Sequence, residues 1–263
     1  MQLSQYNVKL SRINHIFISH LHGDHFFGLM GLISTMHLFG RTKDLFLYGP
    51  AGLAEVILAT LKASLSYLNF KIAFTPLEGR EQALLYENDL LTVHTIPLTH
   101  GIDCYGFLFR EKPGPRKINK EKLPEDFSVK NMARLKKGLD ILDEQGAVLY
   151  KNEELTLPPK KAFSYAYCSD TAYDESIVPL IRDVDLLYHE ATFASDMEER
   201  ARETFHSTAR QAASIAKMAN VSQLLLGHYS VRYKDLQPLL DEAREIFPNT
   251  RLAIEGDVFT LEQ

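Results

Sequence analysis

The chain has 263 residues, 45% of them hydrophobic and 24% charged, which is ample material for a core and too apolar for a disordered chain. A formal charge of −5 excludes a uniformly basic nucleic-acid coat, and two cysteines, Cys104 and Cys168, are too few for a disulfide framework. The start of the chain has no charged residue followed by an apolar run. The most apolar stretch, Phe26–Phe39, is too short to span a bilayer and contains His37, so a cytoplasmic protein with no membrane partner is expected.

Short runs rich in β-branched or aromatic residues predict strands at His15–Ser19, Asp44–Gly49, Phe70–Phe74, Leu91–Ile96 and Tyr105–Phe109. Further strands are predicted at Phe163–Ser169, Asp185–Glu190, Gln223–His228 and Arg251–Gly256. Phe26, Phe27, Leu29, Met30, Leu32 and Ile33 read as the core side of a helix after the first strand. After the Gly49-Pro50 break, Leu53, Val56, Ile57, Leu61 and Leu65 recur at helical spacing and predict a helix over Gly52–Tyr67. Two more helices are predicted at Ser207–Ala219, capped by Ser207 or Thr208, and at Lys234–Ile246. Strands and helices alternating over residues 1–263 indicate one layered α/β domain. Residues 110–161 interrupt it with a polar, Pro- and Gly-containing stretch, read as an inserted arm or lid. Within Arg110–Lys137, ten Lys or Arg stand against four Asp or Glu, so the basic charge is concentrated there.

The strongest chemical signal is His20-Leu21-His22-Gly23-Asp24-His25, four metal-capable side chains within six residues, directly after an apolar strand. Imidazole and carboxylate suit zinc or a similar divalent ion. His20 and His22, two apart in extended backbone, point the same way, and Asp24 and His25 fall in the turn that reverses the chain. One loop can thus offer two pairs of ligands to two adjacent metals. His100, Asp170 and His228 each follow a predicted strand, where α/β sheets gather functional groups, and are the candidates to complete both sites. His15, His37 and His94 read as structural, and Cys104 and Cys168 as small buried hydrophobes. No GxGxxG or P-loop pattern occurs, so no nucleotide cofactor is expected.

The segments ISHLHGDHFFGLMGL, PLTHGIDCYGF, YCSDT, LYHEATF, FHSTARQAA and LGHYSVRY together resemble the metallo-β-lactamase superfamily, and within it ribonuclease Z, the tRNA 3′-processing endonuclease. HxHxDH alone points to the superfamily, whereas His189–Thr192 and His206–Thr208 select the nuclease. The resemblance implies an αββα sandwich with one zinc held by His20, His22 and His100, a second by Asp24, His25 and His228, and Asp170 bridging. Two metals about 3.5–4 Å apart can stabilise the attacking and leaving oxygens of a phosphodiester cleaved in line. The resemblance further assigns Asp24 to the attacking water and Glu190 with His206 to protonating the leaving ribose 3′-oxygen, while His189 is read as structural.

Precursor tRNA is the implied substrate and a homodimer the implied assembly, the basic arm of one subunit serving the other's site. Lys and Arg contacts to phosphate suit that role. The family begins with glycine-rich strands ahead of HxHxDH, whereas here that motif starts at residue 20. An N-terminally shortened fold is therefore expected, with a sheet edge and part of the core uncovered. Another hydrolase of the superfamily, acting on a small phosphodiester, sulfate ester or thioester, and an inactive RNA-binding remnant are the alternatives.

Overall fold

A computed structural model describes residues 2–261. One turn of helix, α1 (Gln2–Gln5), leads to β1 (His15–Phe17), which ends in the His20–His25 loop. That loop feeds α2 (Gly23–Phe26) and α3 (Gly28–Leu38), and β2 (Leu45–Pro50) follows. Next come α4 (Gly52–Ala63) and β3 (Ile72–Leu77). β1, β2 and β3 form a parallel sheet in that order, and β1 pairs with β2 alone among the described residues. Leu29, Ile33 and Met36 of α3, with Leu53 and Ile57 of α4, pack on Ile18, Leu45 and Leu47 to form one outer layer. Each such burial contributes roughly 1.5–3 kcal/mol.

Two expectations change in this layer. Phe27 is 71% exposed: it leaves the core side and its ring lies against Gly23. The helix expected to reach Tyr67 stops at Ala63, because Ser64 bonds back to the Thr60 carbonyl and Leu65 turns left-handed at φ 50°. Val56 and Leu65 are accordingly exposed.

The second sheet begins with the antiparallel strands β4 (Leu84–Glu87), β5 (Leu91–Leu98) and β6 (Cys104–Glu111). The chain then leaves the sheet through β7 (Lys117–Ile118), α5 (Val129–Lys136), the hairpin β8 (Ile141–Leu142) and β9 (Val148–Tyr150), α6 (Asn152–Leu155) and β10 (Thr156–Leu157). This excursion has its own small core of Leu135, Ile141 and Leu155, with Phe127 and Tyr150 against it. Asn152 ties it together, donating to the Leu135 and Leu139 carbonyls.

The chain re-enters as β11 (Ser164–Cys168), β12 (Leu186–Glu190), β13 (Gln223–Gly227) and β14 (Thr250–Leu252), all parallel, so the sheet runs β14-β13-β12-β11-β6-β5-β4. After β12 come α7 (Glu198–Glu203) and α8 (Ala209–Met218), and α9 (Gln237–Arg244) links β13 to β14. Alternation decides the faces: Ala166, Cys168, Leu187, Leu224 and Leu226 turn to α8 and α9, with Ala212, Ala216 and Leu239 against them. The opposite face carries Tyr105, Phe107, Phe109 and Tyr167, which meet Phe17, Tyr48 and Leu77 of the small sheet. The layers therefore run helix, sheet, sheet, helix. His94, expected to be a satisfied histidine, has a buried Nδ1 without a hydrogen-bond partner.

Candidate active site

The loop after β1 and the C-terminal ends of β11, β12 and β13 meet at one edge of the two sheets. The site is built there because parallel strands end together and their following residues converge. The Tyr105 amide donates to the Ser19 carbonyl and ties the first loop to the start of β6. The seven residues expected to face metal lie together, four of the histidines around the Asp170 carboxylate. Its Oδ2 lies 3.5 Å from His20 Nε2, 3.3 Å from His25 Nε2 and 3.9 Å from His100 Nε2. Its Oδ1 lies 3.3 Å from His228 Nε2 and accepts from Ser169 Oγ at 2.9 Å. His22 Nδ1 is 3.1 Å from His100 Nε2, and Asp24 Oδ2 is 3.4 Å from His25 Nε2.

The ligand-capable atoms form three overlapping sets, each within 4.8 Å: His20, His22, His100 and Asp170; Asp24, His25 and His228; and Asp170, His206 and His228. Electrostatics agree with a cation-binding set. Burial, with the charge of His25 next, pushes His20 down to about 3, so its imidazole is neutral. Burial lowers His100 as well. Burial alone would raise Asp170, but hydrogen bonding from His25 and the charge of His228 hold it well below the usual carboxylate range. Burial would lower His25, but the hydrogen bond and charge of Asp170 outweigh it and raise its pKa, so a metal binding there would displace a proton. The Nε2 atom of His20 is buried, lacks a hydrogen-bond partner and lies 3.5 Å from the carboxylate, as a nitrogen aimed at a cation would. The residues therefore fit a metal pair.

The second nitrogens are already engaged. Ser19 Oγ is 3.1 Å from His20 Nδ1, and His100 Nδ1 donates to the Phe205 carbonyl at 2.9 Å. His228 Nδ1 lies 2.8 Å from Thr192 Oγ1. These contacts orient each ring with Nε2 toward the centre.

Glu190, at the end of β12, is fully buried and surrounded by donors. The Thr171 amide reaches Oε1 at 2.9 Å, and the Thr192 amide and hydroxyl reach Oε2 at 3.1 and 2.7 Å. His206 Nδ1 is 2.8 Å from Oε1. Burial opposes the charged form of His206, but the Glu190 bond and charge outweigh it and raise its pKa. His206 also stacks on His228, ring centroids 5.3 Å apart, so the carboxylate–imidazole pair borders the metal-capable set. His189, expected to point away, is buried with Nδ1 donating to the Glu190 carbonyl at 2.8 Å.

Several contributors escaped sequence reasoning. Thr192 touches Glu190, His228 and His206 at once, and only its place in the His189–Thr192 block hinted at it. Cys104 is buried as expected, but its thiol also donates to the Asp170 carbonyl and lies 3.6 Å from His20 Nδ1. Phe205 had no signal in the sequence beyond its position before His206.

Layering and site together define a metallo-β-lactamase fold, and comparison with known proteins agrees. Residues 155–229 match a family model described as a beta-lactamase superfamily domain, and residues 1–113 match that of the anti-Pycsar protein Apyc1. Among solved structures, human tRNase Z, short form, is similar with a TM-score of 0.69 at 24% identity, over 99% of this chain and 84% of that one. The metallo-beta-lactamase fold protein YhfI of Bacillus subtilis has a TM-score of 0.65 at 19% identity, over 98% and 81%. Ribonuclease Z of Cytophaga hutchinsonii is 50% identical over 90% of this chain and 76% of its own length. That of Bacteroides thetaiotaomicron is 48% identical over 99% and 83%. The chain belongs to the ribonuclease Z family. It is, with that family, an endoribonuclease.

Proposed function

We propose that the protein removes the 3′ trailer from precursor tRNA with two zinc ions. His20, His22 and His100 would hold one, Asp24, His25 and His228 the other, and Asp170 both. When bound, such ions supply Lewis acidity toward phosphodiester oxygens and make water a nucleophile at neutral pH. The remaining work falls to the chain. Asp24, exposed at the mouth of the site, orients the attacking water and takes up its proton. Glu190, held by Thr171 and Thr192, accepts from His206 Nδ1 and fixes the ring with Nε2 toward the cleft. His206 then delivers the proton to the departing ribose 3′-oxygen, leaving a 3′-hydroxyl on the tRNA and a 5′-phosphate on the trailer.

The observation that carries this reading is the pair of buried Glu190 and half-buried His206 bordering the metal-capable set, which supplies an acid where a phosphodiester's leaving group would sit. A homodimer in the cytoplasm, each arm serving the other subunit's site, completes the reading. The arm's separate core supports its acting as a unit.

The test is cleavage of a 3′-extended pre-tRNA with product ends mapped. A single cut should be abolished by a chelator and restored by zinc. The variant His206→Ala should lose about 10²–10⁴-fold in kcat while binding as much zinc as the wild type. A zinc-loaded protein that leaves the RNA intact would refute the proposal, and loss of metal in His206→Ala would refute the role of that residue.

A further inference from the structure

Phe205 occupies a position that its residue type should avoid. α7 ends in a Schellman turn, with the His206 amide donating to the Ala201 carbonyl at 2.8 Å and the Phe205 amide to Arg202 at 3.3 Å. The residue at the head of that turn must be left-handed, and Phe205 has φ 57°. Glycine is the inexpensive choice there, and a bulky aromatic is strained. Burial does not offset the strain, because Phe205 is 43% exposed. Nor does the turn need the ring: the apolar contact that accompanies a Schellman turn involves the residue after this one and the helix's last turn.

The backbone of Phe205 has a function, since its carbonyl fixes His100 Nδ1. Glycine would supply the same carbonyl. What phenylalanine adds is a flat apolar face beside Gly101, on the residue between the α7 turn and His206. An aromatic face is what single-stranded nucleic acid uses for sequence-tolerant contact, each base offering a π-face to stack on.

Accepting the reading of the site as an RNA 3′-end nuclease, we infer that Phe205 is a substrate-binding residue. Its ring stacks the base of the last nucleotide retained on the RNA. The choice of nucleotide follows from His206. That imidazole protonates a 3′-oxygen, the oxygen belongs to the ribose of the last retained nucleotide, and the base on that ribose is the one nearest the neighbouring ring. Because stacking ignores base identity, it suits a site that must accept any nucleotide before the cut.

The test uses the zinc-loaded 263-residue protein and the variants Phe205→Gly, Phe205→Tyr and Phe205→Trp. Phe205→Gly should unfold no earlier than the wild type, since it relieves the left-handed strain, and should carry the same zinc. Its KM for pre-tRNA should rise roughly five- to a hundredfold, the loss expected for one stacked base, with a far smaller change in kcat. Phe205→Tyr and Phe205→Trp should restore KM. A product RNA ending in 2-aminopurine should be quenched on binding the wild type and the Tyr and Trp variants, but not Phe205→Gly.

A wild-type KM and undiminished quench in Phe205→Gly would overturn the inference. So would a KM rise that neither Tyr nor Trp repairs, which would assign the effect to the carbonyl that holds His100. A wild-type protein that cuts no pre-tRNA would sink the functional reading instead, and the quench measurement would still decide whether the ring stacks a base.

Discussion

Asp185 shows how a single carboxylate can hold an element in place. At the mouth of β12 it accepts from the Ser164 amide and hydroxyl, both at 2.8 Å, pairs with Lys161, and donates its own amide to Ser164 Oγ at 3.1 Å. Burial alone would raise its pKa, but the Lys161 and Ser164 contacts outweigh it and hold the group below the usual carboxylate range. A carboxyl with a lowered pKa in the folded state stabilises the fold fully above its unfolded pKa, near 3.8. The stabilisation is lost as pH falls through the folded value. Asp185→Asn should cost about 1–3 kcal/mol at pH 7, the loss of a charged hydrogen-bond partner, and less in acid. Thermal melts at pH 7 and well below pH 3.8, under the lowered folded value, check this: an equal Tm deficit at both would refute it. The same scale explains which site residues were legible. His20, His22, Asp24 and His25 stand in one short run, and His100, Asp170 and His228 each follow a strand, so residue type and position sufficed. Thr192 was not legible as a hub, because its partners His206 and His228 lie 14 and 36 residues away. Nor was Phe205, whose meaning depends on a φ angle and an exposure that no pattern encodes.

At the scale of elements, β6 owes its place to a missing side chain. A Cβ on Gly106 would lie 2.5 Å from the Tyr167 carbonyl and 3.3 Å from Ile96 Cβ, so β5, β6 and β11 can approach only because position 106 is glycine. A backbone carbonyl cannot swing aside as a flexible side chain does. Gly106→Ala should therefore cost about 1–3 kcal/mol, as overpacking does, and be visible as a lower denaturant midpoint. It should also weaken metal binding, since Cys104 and the Tyr105 amide, two and one residues away, brace His20 and Ser19. An unchanged midpoint would mean that the strands separate at no cost. The buried strands were readable from their apolar and aromatic runs, including β11, β12 and β13 of the large sheet, whereas the last strand, expected at Arg251–Gly256, is only Thr250–Leu252. β4 was missed because it is a four-residue edge strand, half exposed, with no alternation to betray it. Helix ends were set by local chemistry weaker than periodicity. Pro238 in its first turn delays α9 to Gln237, and Thr208, in a capping box with Gln211, starts α8.

For the molecule as a whole, the distribution of charge matters more than its sum. A net charge of −5 would repel RNA, yet residues 110–137 hold ten Lys or Arg against four Asp or Glu, and the excursion that carries them has its own core of Leu135, Ile141 and Leu155. Lys117, Lys120 and Lys136 are exposed there and line a groove with Ile118, Phe127 and Met132. The sequence told where the charge lies but not its arrangement, because the arm's core is assembled from Leu135, Ile141 and Leu155 across turns with little periodicity. If the arm holds the tRNA through its phosphates, binding must release counterions, and affinity must fall steeply as salt rises. Replacing Lys117, Lys120 and Lys136 together by Ala removes up to three phosphate contacts. The slope of log affinity against log salt should then become shallower by roughly two to three. The site itself is untouched, so metal content should not change, and kcat measured at saturating RNA should fall far less than affinity. Filter-binding titrations of pre-tRNA from low to physiological salt give the slope directly. A slope that stays as steep in the triple variant would mean that the phosphates are held elsewhere, and that the arm's charge serves solubility rather than substrate.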